Sequence, residues 1–120
     1  MFSETVLDHF QSPRNVGKLA DATASVEITN PVCGDVLHLA ARAENGRITK
    51  ARFLCQGCTT AIACASLLTV ELTGREIFES SEITAQYLSR KFGGLPPATQ
   101  HAAQLAADAG SALLIKLKSA

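Results

Sequence analysis

The chain carries no excess charge of either sign, because eleven Lys and Arg residues are matched by eleven Asp and Glu. That balance removes the electrostatic reason to expect nucleic acid or an anionic membrane as a partner. No apolar run approaches the roughly 20 residues needed to span a bilayer. The opening MFSETVLDHFQSPRN contains acidic residues and no long apolar segment, so a secretory signal is not expected. Internal repeats, low-complexity tracts and linker-like stretches are also missing. The expectation is a cytoplasmic protein with reduced thiols. In that compartment clustered cysteines are more often metal-binding or catalytic than structural disulfides. What is present is 120 residues, 47% hydrophobic and 18% charged, which suits one globular domain over 1–120 with one core.

Periodicity divides this domain into strands followed by helices. Ser3 can cap a short first helix with Val6, Leu7 and Phe10 on its apolar side, ended by Ser12-Pro13. Residues 14–22 have no clear period and read as a loop. Strand-like alternation follows in Ser25 to Thr29, in Val36 to Ala43 around Val36 and its neighbours, and in Arg47 to Leu54. Asn45-Gly46 tolerates positive φ and predicts a tight hairpin between the last two. From Thr59 to Thr73 the period becomes helical, with Ile62, Ala65, Leu68 and Leu72 on one stripe and Gly74 as the stop. A second helix is predicted over Glu82 to Lys91, then a loop at Gly93-Gly94-Leu95-Pro96-Pro97. The last helix runs from Ala98 to Lys118, with Ala102, Ala106, Ala109, Leu113 and Leu117 along one face. This order predicts an α+β fold, a three-stranded antiparallel sheet packed against a layer of helices.

Three of the four cysteines lie in RFLCQGCTTAIACAS. Cys55-Gln56-Gly57-Cys58 joins a strand to a helix, as a thiol redox motif would. The amide dipoles of a helix N-terminus favour a thiolate, which singles out Cys58. A thioredoxin-type sheet needs further strands after the motif helix, however, and everything after Cys58 reads as helical. The CxxC redox reading is therefore secondary. Cys64 is about 9 Å further along the helix axis and on another face, so it cannot easily share one metal ion with Cys58. Flanked by Ala63 and Ala65, it reads as a small hydrophobe.

A metal site is the stronger alternative. Cys33 sits in a loop between two strands with Asp35 beside it, Cys58 follows the third strand, and His101 starts the last helix. Loop ends at one edge of a small sheet can meet, and Cys, His and Asp all ligate zinc or iron. The spacing is too open to be a compact finger. A lone histidine at a helix start is commonly solvated or capping, and an aspartate after glycine commonly serves a turn. Cys55, with a two-residue gap to Cys58, could add a donor, or could pack inward beside Phe53.

These residues fall in an order that resembles the NifU/IscU-type iron–sulfur cluster assembly scaffolds over nearly the whole chain. The segments that carry the resemblance are SETVLDHFQSPRNVG, CGDV, ARFLCQGCTTAIACAS, LPP and HAAQLAADA. It implies the same α+β fold and a site where a cysteine desulfurase delivers sulfur, iron is added, and a [2Fe–2S] cluster is built and passed to iron–sulfur acceptor proteins. By position, Cys33, Asp35, Cys58 and His101 match ligand residues of the family. Two places depart from its pattern. Ala102 stands where the family has a third cysteine. Thr99 stands where a lysine usually follows Leu-Pro-Pro, which counts against recognition by the dedicated heat-shock ATPase chaperone.

The leading expectation is a cluster scaffold or carrier, not an enzyme, with Cys33, Cys58, His101 and Asp35 or Cys55 as ligands. The alternatives are a zinc-binding sulfur acceptor or regulator using the same groups, and a degenerate module that docks a desulfurase without cargo.

Overall fold

The computed structural model describes residues 3–120. Helix α1 is Glu4–Gln11, followed by strands β1, Ala24–Thr29, β2, Val36–Glu44, and β3, Arg47–Gln56. Then come α2, Thr59–Leu72, a 3₁₀ stretch at Ile77–Glu82, α3, Ala85–Lys91, a 3₁₀ turn at Pro97–Thr99, and α4, Gln100–Ser119. The strands form one antiparallel sheet in the order β1-β2-β3, as the alternation predicted. Asn45 and Gly46 turn the β2–β3 hairpin at φ of 54° and 77°, the conformation expected for Asn-Gly.

One face of the sheet is covered by helices. Leu37, Leu39 and Ala41 of β2 and Ala51 and Phe53 of β3 point into this layer. The buried phase of β2 is thus set by Leu37 and Leu39, and Val36, expected at its centre, falls on the opposite face and is half-buried. Helix α2 is the middle of the layer. It buries Ala61, Ala63, Cys64, Ala65, Leu67, Leu68 and Leu72, and also Thr60, Ser66 and Thr69, so it is enclosed on more than the one stripe read from its period. Ile62, placed on that stripe, is only half-buried. Close approach comes from small residues, as at Gly110 of α4, where a Cβ would stand 3.3 Å from Leu68 Cδ1. In so tight a layer, truncating Leu68 to alanine costs about 2–5 kcal/mol.

Two segments differ from the sequence-based expectation. The second predicted helix starts at Ala85 and not at Glu82, because Thr84 caps it by accepting the Tyr87 N–H through Oγ1. In α1 the inward residues are Val6 and His9, while Leu7 and Phe10 are 40% and 38% exposed. The His9 ring explains the rotation. Its Nδ1 lies 2.7 Å from Ser66 Oγ in α2, and its edge meets Phe92, with centroids 5.8 Å apart. The following segment, expected to be a loop, also lines the sheet: Gly17 N–H donates to Phe53 O and Phe53 N–H to Asn15 O, both at 2.9 Å. Ser66 Oγ accepts the Arg14 N–H at 2.9 Å, and Asn15 Nδ2 donates to Thr69 Oγ1. This N-terminal arm closes the β3 edge.

Burial, aided by the neighbouring Arg14 charge, lowers the His9 pKa below its ordinary 6.5. The folded chain therefore holds His9 neutral where the unfolded chain takes up a proton. Stability should fall as pH drops below about 6.5 and continue falling down to the depressed folded value. Replacing His9 by Asn, which keeps a polar atom near the Nδ1 position, should flatten that fall. Thermal midpoints measured from pH 7 to 5 check this. Parallel curves for the two proteins would exclude His9 as the cause.

Candidate metal centre

Three element ends meet at one end of the sheet. The first is the β1–β2 loop, residues 30–35. Asn30 N–H donates to Asp35 O and Gly34 N–H to Asn30 O, both at 2.8 Å, while Asn30 Oδ1 accepts the Val32 N–H. Gly34 supplies the left-handed residue of the turn, at φ +75°. The turn is therefore made by Asn30 and Gly34, and the side chain of Asp35 is free for another role. The second end is the β3–α2 junction, where Cys58 is the N-cap residue of α2 and is exposed. The third is the start of α4, where the Pro97–Thr99 turn delivers His101.

These ends bring ligand atoms of Cys33, Asp35 and His101 within 4.8 Å of one another. Cys58 Sγ lies 4.0 Å from His101 Nε2. Of the four residues singled out in sequence, Cys33, Asp35 and His101 form one group, and Cys58 lies beside His101 but outside it. Cys33 is exposed, whereas Asp35 is only 8% exposed and its Oδ2 is buried without a hydrogen-bond partner. A buried carboxylate oxygen left unpaired is costly, and buried carboxylates are normally hydrogen-bonded or bound to a cation. Space for this carboxyl comes from Gly57, since a Cβ there would lie 2.9 Å from Asp35 Cγ. Nothing in the sequence pattern marks Gly57 for that role, as it reads simply as the middle of a turn.

Soft thiols, a borderline imidazole and a hard carboxylate form a mixed donor set that suits zinc or iron. Cys55 is not part of the three-residue group. It lies in β3, opposite Leu37, and packs partly buried against the core. Burial pushes its thiol up to about 11, with Asp35 and Cys58 adding to the rise. Cys64 is fully buried, and its thiol is pushed to about 12 by burial. Ala102 is also fully buried, on the inward face of α4 beside Ala103 and Ala106. The Leu-Pro-Pro segment is fastened down: Leu95 is buried, its N–H donates to Ser89 Oγ, and its carbonyl accepts from Gln100. Thr99 is turned back on the same segment through a hydrogen bond from its hydroxyl to Pro96 O.

Residues 1–119 match the model of the NifU-like N-terminal domain. The chain is 42% identical over 109 residues to the iron–sulfur cluster assembly scaffold protein IscU 1 of Archaeoglobus fulgidus, covering 91% of this chain and 71% of that one. To the IscU scaffold of Haemophilus influenzae it is 36% identical over 122 residues, covering 98% and 96%. Among solved structures, it shares its fold with a scaffold protein for the SUF system from Fervidobacterium islandicum. That match has a TM-score of 0.80 at 18% identity and covers 94% and 96% of the two chains.

The geometry sorts the four thiols into two classes. Cys33 and Cys58 are open to solvent, while Cys55 and Cys64 are shielded and resist ionisation. Burial therefore keeps the Cys55 thiol largely protonated at pH 8. Brief iodoacetamide treatment of the metal-free native protein should label Cys33 and Cys58 first, with Cys55 and Cys64 modified only after unfolding. Peptide mass spectrometry reads the order, and early labelling of Cys55 would show that it opens to solvent.

Proposed function

Because the chain belongs to the family of NifU-like N-terminal domains, we propose that it is an iron–sulfur cluster assembly scaffold whose cargo is held by Cys33, Asp35, Cys58 and His101. The observation that carries this reading is the buried Asp35 carboxylate, which has an unpartnered Oδ2 and one oxygen within reach of Cys33 and His101, an arrangement that a bound cation relieves. In it, Cys33 and Cys58 supply thiolates, and the imidazole and carboxylate complete four donors. Such ligation suits a [2Fe–2S] cluster, and the carboxylate, a harder and weaker ligand for iron than thiolate, makes the cargo easier to release. Sulfur comes from a cysteine desulfurase and the finished cluster goes to acceptor proteins. Exposure of both thiols at one end of the molecule leaves room for each partner to approach.

Zinc binding is the second reading. It is favoured by the compactness of the site, because donor atoms within 4.8 Å of one another can surround a single ion. Anaerobic reconstitution with iron and sulfide, followed by visible absorption and metal analysis, separates the two readings, since only the cluster is coloured. Cys33→Ser and Cys58→Ser should each abolish retention of the cluster. Cys64→Ser should lower thermal stability and leave metal content unchanged, and loss of the metal in that variant would contradict its place in the core.

Asp35→Ala should slow cluster loss to a chelator severalfold, as a labile ligand is removed. Unchanged or faster loss would count against Asp35 as the ligand that makes the cargo labile. Cys55→Ser should leave metal content intact if Cys55 packs as described. A severe loss of metal on Cys55→Ser would assign that residue to the site instead.

A further inference from the structure

Gly57 lies between the last residue of β3 and the N-cap of α2. Positive φ is found at Gly17, Gly34, Gly46, Gly74, Gly93 and Gly94, but not at Gly57. Its backbone conformation therefore does not require a glycine. Its surroundings do. A Cβ at this position would stand 2.9 Å from Asp35 Cγ, 3.1 Å from Asp35 Oδ2 and 3.1 Å from Ala61 Cβ. Contacts this short oblige a neighbour to move, and the principal neighbour is the buried carboxyl group. No hydrogen bond holds Asp35 Oδ2 in place, so contact with the bare Cα of Gly57 is what bounds the carboxyl on that side.

We propose that Gly57 is a positioning residue: its missing side chain is the recess that seats the Asp35 carboxylate against Cys33 and His101, and it thereby sets how readily the metal cargo is released. The effect on release rests on the scaffold reading above. The seating of Asp35 does not. Any side chain at residue 57 displaces the carboxylate from its place among the donors, while the adjacent Cys58 keeps its own position at the start of α2.

The test is a pair of double-variant cycles. In metal-free protein, Gly57→Ala should lower the thermal midpoint, and in an Asp35→Ala background the loss should shrink to less than half, because the group it collides with is gone. In an Ala61→Gly background the loss should persist. Equal losses with and without Asp35, or recovery on Ala61→Gly, would overturn the proposal, since the strain would then come from the helix and not the carboxylate. In protein reconstituted with iron and sulfide, Gly57→Ala should change the half-life of the cluster toward a chelator by about threefold or more, and should have no effect once Asp35 is alanine. An unchanged half-life in the native background, or the same change in both backgrounds, would overturn the link to release. Should the native chain build no cluster at all, the scaffold reading fails, and the metal-free cycle still decides whether Gly57 seats Asp35.

Discussion

Helix α2 is enclosed by β3 on one side and by α1 and α4 on others, and this enclosure is the constraint from which the remaining arrangement follows. An enclosed helix must present side chains that fit on nearly every side. It does so with alanines at 61, 63 and 65, leucines at 67, 68 and 72, and hydroxyl residues at 60, 66 and 69. The hydroxyls are not idle in this setting. Ser66 meets His9 and the Arg14 amide, and Thr69 meets Asn15, so the polar atoms of the helix fasten the N-terminal arm that closes the β3 edge. Because packing fixes the helix along its length, its start is fixed as well. Cys58 is thereby held against the end of β3, where a ligand on a free loop would wander.

The donor set combines that fixed thiol with three donors carried by other elements. His101 is carried on the first turn of α4, itself anchored by buried Ala102, Ala103, Leu105 and Ala106. Cys33 rides on a short turn closed by hydrogen bonds between Asn30, Gly34 and Asp35. Asp35 is the buried member, and an unpaired buried oxygen is a stored cost in the metal-free protein. A cation offsets that cost, which couples loading of the site to the stability of the fold around it.

Much of this was legible in the residues. The three strands, the Asn45-Gly46 hairpin and the three longer helices follow from periodicity and turn chemistry, and Cys33, Asp35, Cys58 and His101 stand out as ligand types. Their meeting did not follow from periodicity, because 24 residues separate Cys33 from Cys58 and 42 separate Cys58 from His101. The placement of these residues at loop ends on one edge of a small sheet allowed them to meet, and the resemblance to a family pointed to their doing so. The rest was hidden for physical reasons. Leu7 and Phe10 look like the inner face of α1 until His9 finds Ser66, a polar contact that no hydrophobic period records. Glu82 is compatible with a helix, but Thr84 caps one two residues later. Gly57 acts by an absence, and an absent side chain signals nothing until its neighbours are placed.

The pair Cys55 and Cys58 shows how position decides chemistry for one residue type. A redox pair needs both sulfurs at the helix start, one of them readily ionised. Here Cys55 still belongs to β3, and the alternation that sends Phe53 and Leu37 inward sends its thiol toward the core. Burial opposes its ionisation, so it is a poor nucleophile in the metal-free protein. Cys58, three residues later, has left the strand and is exposed beside His101. With alanine at 102, the reachable donors at this end of the molecule are then two thiols, one imidazole and one carboxylate. Of these the carboxylate is the hardest and the least suited to iron. Any cargo held by this set would be released most easily at that ligand, so the seating of Asp35 would bear on exchange while the two thiols would bear on retention.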